Sequence, residues 1–250
     1  MRMLKKEKLD LSIIMPCRNE ENAVAKAIQD AKAFLDKYGI SGEILVVDNA
    51  STDKSASVAR KNGARVVYES LKGYGRAIRT GIAESEGKVL IIGDADTTYD
   101  FRRIGRMYKM LKSGRYIGGG APIRFERYSL ALWLNDLMCR VAFGLTGLYC
   151  GIFWAERSTF EAIGGFVDKR AFEDAETAKK LRKFGKSHGK RYGVLRKNHL
   201  INSTRKYDKM GDWMYFKLMV QNSGAMLKAA LGDSSEYDKL IDKLFYDYNG

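Results

Sequence analysis

Short apolar runs alternate with helix-like segments through the first 113 residues, and that alternation leaves the chain few architectures. Residues 11–15, 43–47, 65–68 and 88–92 read as strands. Ala23, Val24, Ala27, Ile28, Ala31, Phe34, Leu35 and Tyr38 recur at the helical period of about 3.6 residues. A second helix is expected from a cap at Ser51 or Thr52 to about Asn62, with Gly63 as its stop. Further helices are expected over 76–85 and 101–113. Strands alternating with helices build a parallel sheet covered on both faces. The expected fold class is α/β, with a Rossmann-like, mostly parallel central sheet flanked by helices. Ligands of such sheets bind at the carboxyl ends of the strands.

The fourth apolar run ends in Gly93-Asp94-Ala95-Asp96. Two carboxylates one residue apart repel and raise each other's pKa unless a cation lies between them. A hard divalent ion, Mn²⁺ or Mg²⁺, takes oxygen ligands and keeps contacts to substrate phosphates. The other runs release polar loops at the same edge: Pro16-Cys17-Arg18-Asn19-Glu20-Glu21-Asn22, Asp48-Asn49-Ala50-Ser51-Thr52-Asp53 and Lys72-Gly73-Tyr74-Gly75-Arg76. Each alone fits ordinary turn and cap chemistry. Together they describe a nucleotide pocket.

Composition excludes several classes. Cys17, Cys139 and Cys150 are scattered and contain no Cys-x-x-Cys, which argues against a disulfide framework or a zinc site. Residues 1–10 are charged and lack the apolar core of a signal peptide, so a cytoplasmic setting is expected. The uncharged stretch 141–155 is short for a membrane span and is broken by Gly144, Gly147 and Gly151; it reads as buried core or an interfacial segment. Of the net charge of +14, the stretch 179–209 carries +11, from 12 Lys/Arg against Asp208 alone, and both His188 and His199 lie in it. That stretch reads either as a solvated face or as a surface for polyanions: nucleotide phosphates, anionic headgroups or nucleic acid.

The motifs above, with Phe172-Glu173-Asp174-Ala175-Glu176, resemble in type and order those of the family 2 glycosyltransferases. The resemblance covers roughly residues 10–210. It implies the GT-A fold, with a nucleotide-sugar-binding half over about 10–115 and an acceptor and catalytic-base half over about 116–210. These two halves form one catalytic domain (1–210), and 211–250 would be a C-terminal helical extension. Cys17 and Arg18 depart from the alanine and tyrosine of many members.

Roles follow from the resemblance. Pro16, Arg18 and Glu20 would line the nucleotide pocket, and Asp48 would hydrogen-bond the base, an acceptor-only carboxylate suiting uracil or guanine N–H. Lys72, or Arg76 and Arg79, would offset phosphate charge, with Gly73 and Ala95 as parts of the donor pocket. Asp96 would coordinate the metal on the diphosphate, and Asp94 would reach the ribose or the metal. The catalytic base would be Asp174, with Glu173 its neighbour or a structural ligand; acids at a helix start are also favoured by the dipole. Arg205 is suited to bidentate contact with the diphosphate.

The implied activity is inverting transfer from a UDP- or GDP-linked sugar to a hydroxyl or phosphate acceptor. Arg124, Arg127 and Arg140 beside Trp133, Phe143, Tyr149 and Trp154 suit a lipid-phosphate acceptor, as in polyprenyl-phosphate glycosyltransferases; a glycan acceptor is the alternative. Peripheral contact with an anionic membrane is expected from the basic stretch and these aromatics, although the same residues, with 213–219 and 240–248, also fit core faces of helices. Three other classes fit less well. A sugar-nucleotide nucleotidyltransferase needs a glycine-rich Arg/Lys loop after the first strand. An NAD-dependent oxidoreductase needs Gly-x-Gly-x-x-Gly there. A non-catalytic polyanion-binding or nucleic-acid-binding protein leaves the acidic pairs without a role.

Overall fold

Alternate residues of strand β1 (Leu11–Cys17) feed two separate cores. Leu11, Ile13, Met15 and Cys17 point into one and Ile14 into the other. A strand buried on both faces belongs inside a parallel sheet. The computed structural model, which describes residues 9–98, 101–169, 173–195, 200–224 and 239, places it there. β1 pairs in parallel with β2 (Gly42–Asp48) on one side and β4 (Val89–Ile92) on the other. β3 (Arg65–Tyr68) continues the sheet beyond β2. Past β4 come β8 (Phe153–Glu156), β6 (Tyr116–Gly120) and β9 (Arg191–Val194), giving the order β3-β2-β1-β4-β8-β6-β9. β8 runs antiparallel to both its neighbours, β4 and β6.

Helices cover both faces. α1 (Val24–Tyr38) buries Val24, Ala27, Ile28, Ala31, Phe34 and Leu35 against one, beside α2 (Ser55–Lys61) and α4 (Phe101–Lys112). Gly39, at φ 58°, ends α1 with its N–H on the Leu35 and Asp36 carbonyls, a left-handed closure that glycine adopts without strain. The other face receives α3 (Tyr74–Glu84) and α7 (Glu173–Ser187), through Ala77, Ile78, Ala178 and Leu181. Chain order reverses between β1 and β4, and at such a switch point the loops diverge and leave a crevice. Asp94 to Asp96 follow β4 directly into it.

A second, three-stranded sheet is formed by β5 (Thr97–Thr98), β10 (Leu200–Asn202) and β7 (Ile123–Phe125). It ties the residues after Asp96 to the segment before α8 (Arg205–Met210). α5 (Leu130–Thr146), α6 (Arg157–Ala162) and α9 (Met214–Gln221) complete the described elements. No described helix is long and apolar enough to cross a membrane.

Some sequence expectations change. α2 starts at Ser55, because Ser51 and Thr52 are engaged by Asn19 across the sheet edge. α3 begins at Tyr74, two residues before the expected start. The stretch 141–155 divides between the exposed end of α5 and the buried β8. Trp154 is core: it is fully buried and packs edge-on against Tyr116. Residues 240–248, Phe172, Arg196, Lys197 and His199 lie outside the described residues.

The start of α3 packs directly on the chain before α7. A Cβ on Gly75 would stand 2.4 Å from the Val167 carbonyl oxygen. Gly75→Ala should therefore cost about 2 kcal/mol, the usual scale for overpacking, read as a lowered urea midpoint at unchanged slope. An unchanged midpoint would show that this contact yields freely.

Candidate active site

The loops after β1 and β2 are stitched together. Asn19 adopts φ 54°, a left-handed conformation asparagine tolerates. Its Oδ1 accepts from the Thr52 N–H at 2.8 Å, and its own N–H donates to Ser51 Oγ at 3.1 Å. The N–H of Glu20 donates to Ser55 Oγ at 2.7 Å and that of Glu21 to Asp53 Oδ2 at 3.1 Å. Arg18 reaches across as well, its Nη1 donating to the carbonyls of Asn49 at 2.9 Å and Ala50 at 2.6 Å. Asp48 is buried beside them, with Oδ1 accepting from the Ser51 N–H at 3.2 Å. Pro16 is buried within β1.

Asn49 fixes the third loop. This buried side chain donates from Nδ2 to the carbonyls of Glu69 (3.2 Å) and Leu71 (2.8 Å) and accepts at Oδ1 from the Gly73 N–H (2.8 Å). Gly73 is thereby held under the start of α3, and the next residue, Tyr74, turns its hydroxyl to the acidic turn. It donates to Asp94 Oδ1 at 2.9 Å.

Asp94 and Asp96 are half-buried on a turn that the Thr97 N–H closes on the Asp94 carbonyl at 3.2 Å. Near Asp94, the first turn of α7 carries Glu173 and Asp174, while Glu176 on the same turn pairs with Lys169 at 2.8 Å. Asp174 Oδ1 is sealed from solvent with no hydrogen-bond partner among the described residues. Burial, then the Glu173 and Asp94 carboxylates, push the Asp174 carboxyl well above the ordinary range. Burial, then Asp94 and Asp174, likewise drive the Tyr74 phenol up. The Cys150 thiol is pushed up to about 12, chiefly by burial and then by Asp174 and Glu173. Tyr192, which donates to the Tyr149 carbonyl at 2.7 Å, is raised by burial, Cys150 and Asp174.

This wall is rich in carboxylates. Among the described residues no group of three or more His, Cys, Asp or Glu forms a ready-made metal cage. A hard ion bound by one or two carboxylates, water and substrate phosphate needs none. The unpartnered Asp174 oxygen beside Asp94 and Glu173 fits such an ion's charge. Asp96 and Asp94 are the oxygen donors on the turn that would hold it.

Asp94, Glu173 and Asp174 thus come together, as do Arg18 and Asp48 at the strand ends. Ala95 is buried in the acidic turn. Glu20 and Arg205 meet each other, Arg205 Nη2 donating to Glu20 Oε2 at 2.6 Å. Arg79 faces elsewhere: its Nη1 donates to the carbonyls of Gly164 (3.3 Å) and Phe166 (3.1 Å), steadying the chain before α7. Arg76 pairs with Asp168 at 2.9 Å, and Lys72 is exposed. Arg127 is engaged by Asp208 and Asp212, and Arg140 by Asp136 at 2.8 Å. Tyr74 and Asn49 went unmarked in the sequence as site residues. Their place inside motifs was the only signal.

Residues 12–164, more than half of the chain, match the family model for glycosyl transferase family 2. The chain belongs to that family. The low-salt glycan biosynthesis hexosyltransferase Agl6 of Haloferax volcanii is 40% identical over 104 residues, 42% of this chain and 25% of the relative. The dolichyl-phosphate hexose transferase of the same organism is 29% identical over 114 residues, 46% of this chain and 48% of the relative. The match therefore spans a quarter to about half the length of these two relatives. Glucosyl-3-phosphoglycerate synthase from Mycobacterium tuberculosis, solved with Mn²⁺, UDP and phosphoglyceric acid, superposes with a TM-score of 0.60 at 18% identity, covering 85% of this chain and 78% of that one. The mannosyltransferase PcManGT from Pyrobaculum calidifontis, solved with GDP-Man and Mn²⁺, gives 0.61 at 20% identity, covering 86% and 65%. At such identities the likeness defines the fold, which is GT-A.

Asn49→Ala removes three hydrogen bonds at once, one buried and two partly buried, and leaves two carbonyls and an N–H without their partner. It should cost about 3 kcal/mol in urea unfolding. A loss below about 1 kcal/mol would mean that the Lys72 loop holds its shape independently.

Proposed function

We propose that the chain is an inverting glycosyltransferase that moves a hexose from a UDP- or GDP-linked donor to a hydroxyl or phosphate acceptor. One observation carries this reading: the Asp174 oxygen, sealed and without a hydrogen-bond partner among the described residues, at the edge of a carboxylate-lined crevice at the carboxyl ends of the strands. A carboxyl with raised proton affinity is suited to take the proton of an acceptor hydroxyl as its oxygen attacks the sugar. With a phosphate acceptor, already ionised, the same site would orient the nucleophile.

In this reading residues 10–115 hold the donor and 116–210 the acceptor. Asp48 and Arg18 lie where the base would sit, and Pro16, Glu20, Gly73 and Ala95 shape that side of the pocket. Arg205, paired with Glu20, would offer a guanidinium to the diphosphate, with Lys72 at the exposed edge. Asp96 and Asp94 would hold Mn²⁺ or Mg²⁺, which when bound neutralises charge on the departing diphosphate. Tyr74 orients Asp94, and Glu173 sets the field at Asp174. The neighbours solved with Mn²⁺ and UDP or GDP-Man support the choice of donor and ion, and the dolichyl-phosphate hexose transferase supports a lipid phosphate as one acceptor. Three free thiols suit a cytoplasmic setting.

Release of nucleoside diphosphate from UDP- and GDP-sugars, with Mn²⁺ or Mg²⁺, tests the reading. Asp174→Asn should lower kcat about 10²–10⁴-fold, the scale of a lost general base, while leaving nucleotide binding in place. Equal turnover by Asp174→Asn would remove that residue from the chemistry. Pyrophosphate release from a nucleoside triphosphate, without sugar transfer, would favour a nucleotidyltransferase instead.

A further inference from the structure

Helix α5 turns six of its large apolar residues outward. Leu130, Trp133, Leu137, Met138, Val141 and Leu145 follow the spacing of one helical face, and all six are exposed. Exposure reaches 65% at Leu130 and 85% at Leu145. The face turned to the protein carries Asn135 and Asp136, 8% and 5% exposed, beside the buried Ala131 and Leu132. Both are satisfied there: Asn135 Nδ2 donates to Tyr207 Oη at 3.1 Å, and Asp136 accepts from Arg140 at 2.8 Å. An ordinary surface helix has the opposite arrangement. A continuous apolar face of this kind marks a contact with something other than water.

The surroundings say what that contact is. Arg182 of α7 donates from Nη1 to the Thr146 carbonyl at the end of α5, at 2.6 Å. Lys179 and Lys186 lie one turn before and after Arg182 on the same side of α7, and both are exposed. An apolar stripe thus runs into a cationic one. A second copy of this chain would bring two surfaces of a +14 molecule together, which like charge opposes. An anionic bilayer satisfies both stripes, taking the apolar side chains below the headgroups and the lysines among the phosphates.

We propose that α5 seats the protein on an anionic membrane surface, with Trp133, Leu137, Val141 and Leu145 entering the headgroup–acyl boundary and the α7 cations beside them. The inference rests on this surface alone and does not depend on the donor chemistry. It has one consequence for the site. The chain leaving α5 leads within a few residues to Tyr149 and Cys150, and Cys150 feels the Asp174 and Glu173 carboxylates, so the membrane would lie on the acceptor side of the crevice.

Sedimentation of the full chain with phosphatidylglycerol–phosphatidylcholine vesicles at low salt tests it, beside phosphatidylcholine alone. Wild type should bind the anionic vesicles. A Leu137→Asp, Val141→Asp, Leu145→Asp variant should bind them at least about tenfold more weakly, because the apolar area available to the boundary is lost. Brominated acyl chains should quench Trp133 in a Trp213→Phe background, leaving buried Trp154 as the unquenched remainder. No binding by wild type, equal binding by the triple variant, or a wild-type dimer that the triple variant abolishes would overturn the proposal. So would a melting temperature in the triple variant several degrees below wild type, since the face would then be covered by the chain itself.

Discussion

Mutual repulsion among Asp94, Glu173 and Asp174 is the constraint around which the crevice is arranged. Nothing in a sheet of buried aliphatics requires three carboxylates at its edge, and burial makes Asp174 harder to ionise beside Glu173 and Asp94. The fold holds them there through rigid parts. Asp94 follows a strand buried along its whole length, and Asp174 sits in the first turn of a helix packed on the sheet. The helix start favours acidic side chains but is too small an effect to offset burial. A divalent cation brought by an anionic ligand would relieve the conflict.

The remaining structure serves to keep that wall in register. The loops after β1 and β2 exchange backbone and side-chain hydrogen bonds until they behave as one surface. Asn49 extends the surface to the third loop, so that Tyr74 emerges at the height of Asp94. The small second sheet brings Thr204 and Arg205 alongside, and the Arg205–Glu20 pair closes the circuit from β10 back to β1. Arg79, which belongs to the phosphate side by sequence, instead steadies the Gly164 turn that delivers α7.

What was legible in the sequence was local. β3 was expected at its observed bounds, and β1, β2 and β4 began or ended within two residues of expectation, since each is a continuous apolar run between helices. The acidic turn and the Glu173-Asp174 pair were legible as motifs. Tyr74 and Asn49 were not, because their roles rest on bonds between residues 20 to 24 apart that no local pattern records. The second half was harder. β6 contains Gly118, Gly119 and Gly120, which disfavour strands; they are there because β8, β9 and the Tyr149 carbonyl approach too closely for any side chain. The run 141–155, read as buried core or an interfacial segment, divides between the outward face of α5 and the buried β8.

The central claim is that the carboxylate wall accepts a nucleoside diphosphate only through a divalent ion. Titration calorimetry of UDP and GDP, first with Mn²⁺ and then with the metal chelated, tests it most directly. The account predicts affinity for one of the two nucleotides with metal, weakened at least about tenfold without it, because bare carboxylates repel the diphosphate. Equal affinity with the metal chelated would contradict it.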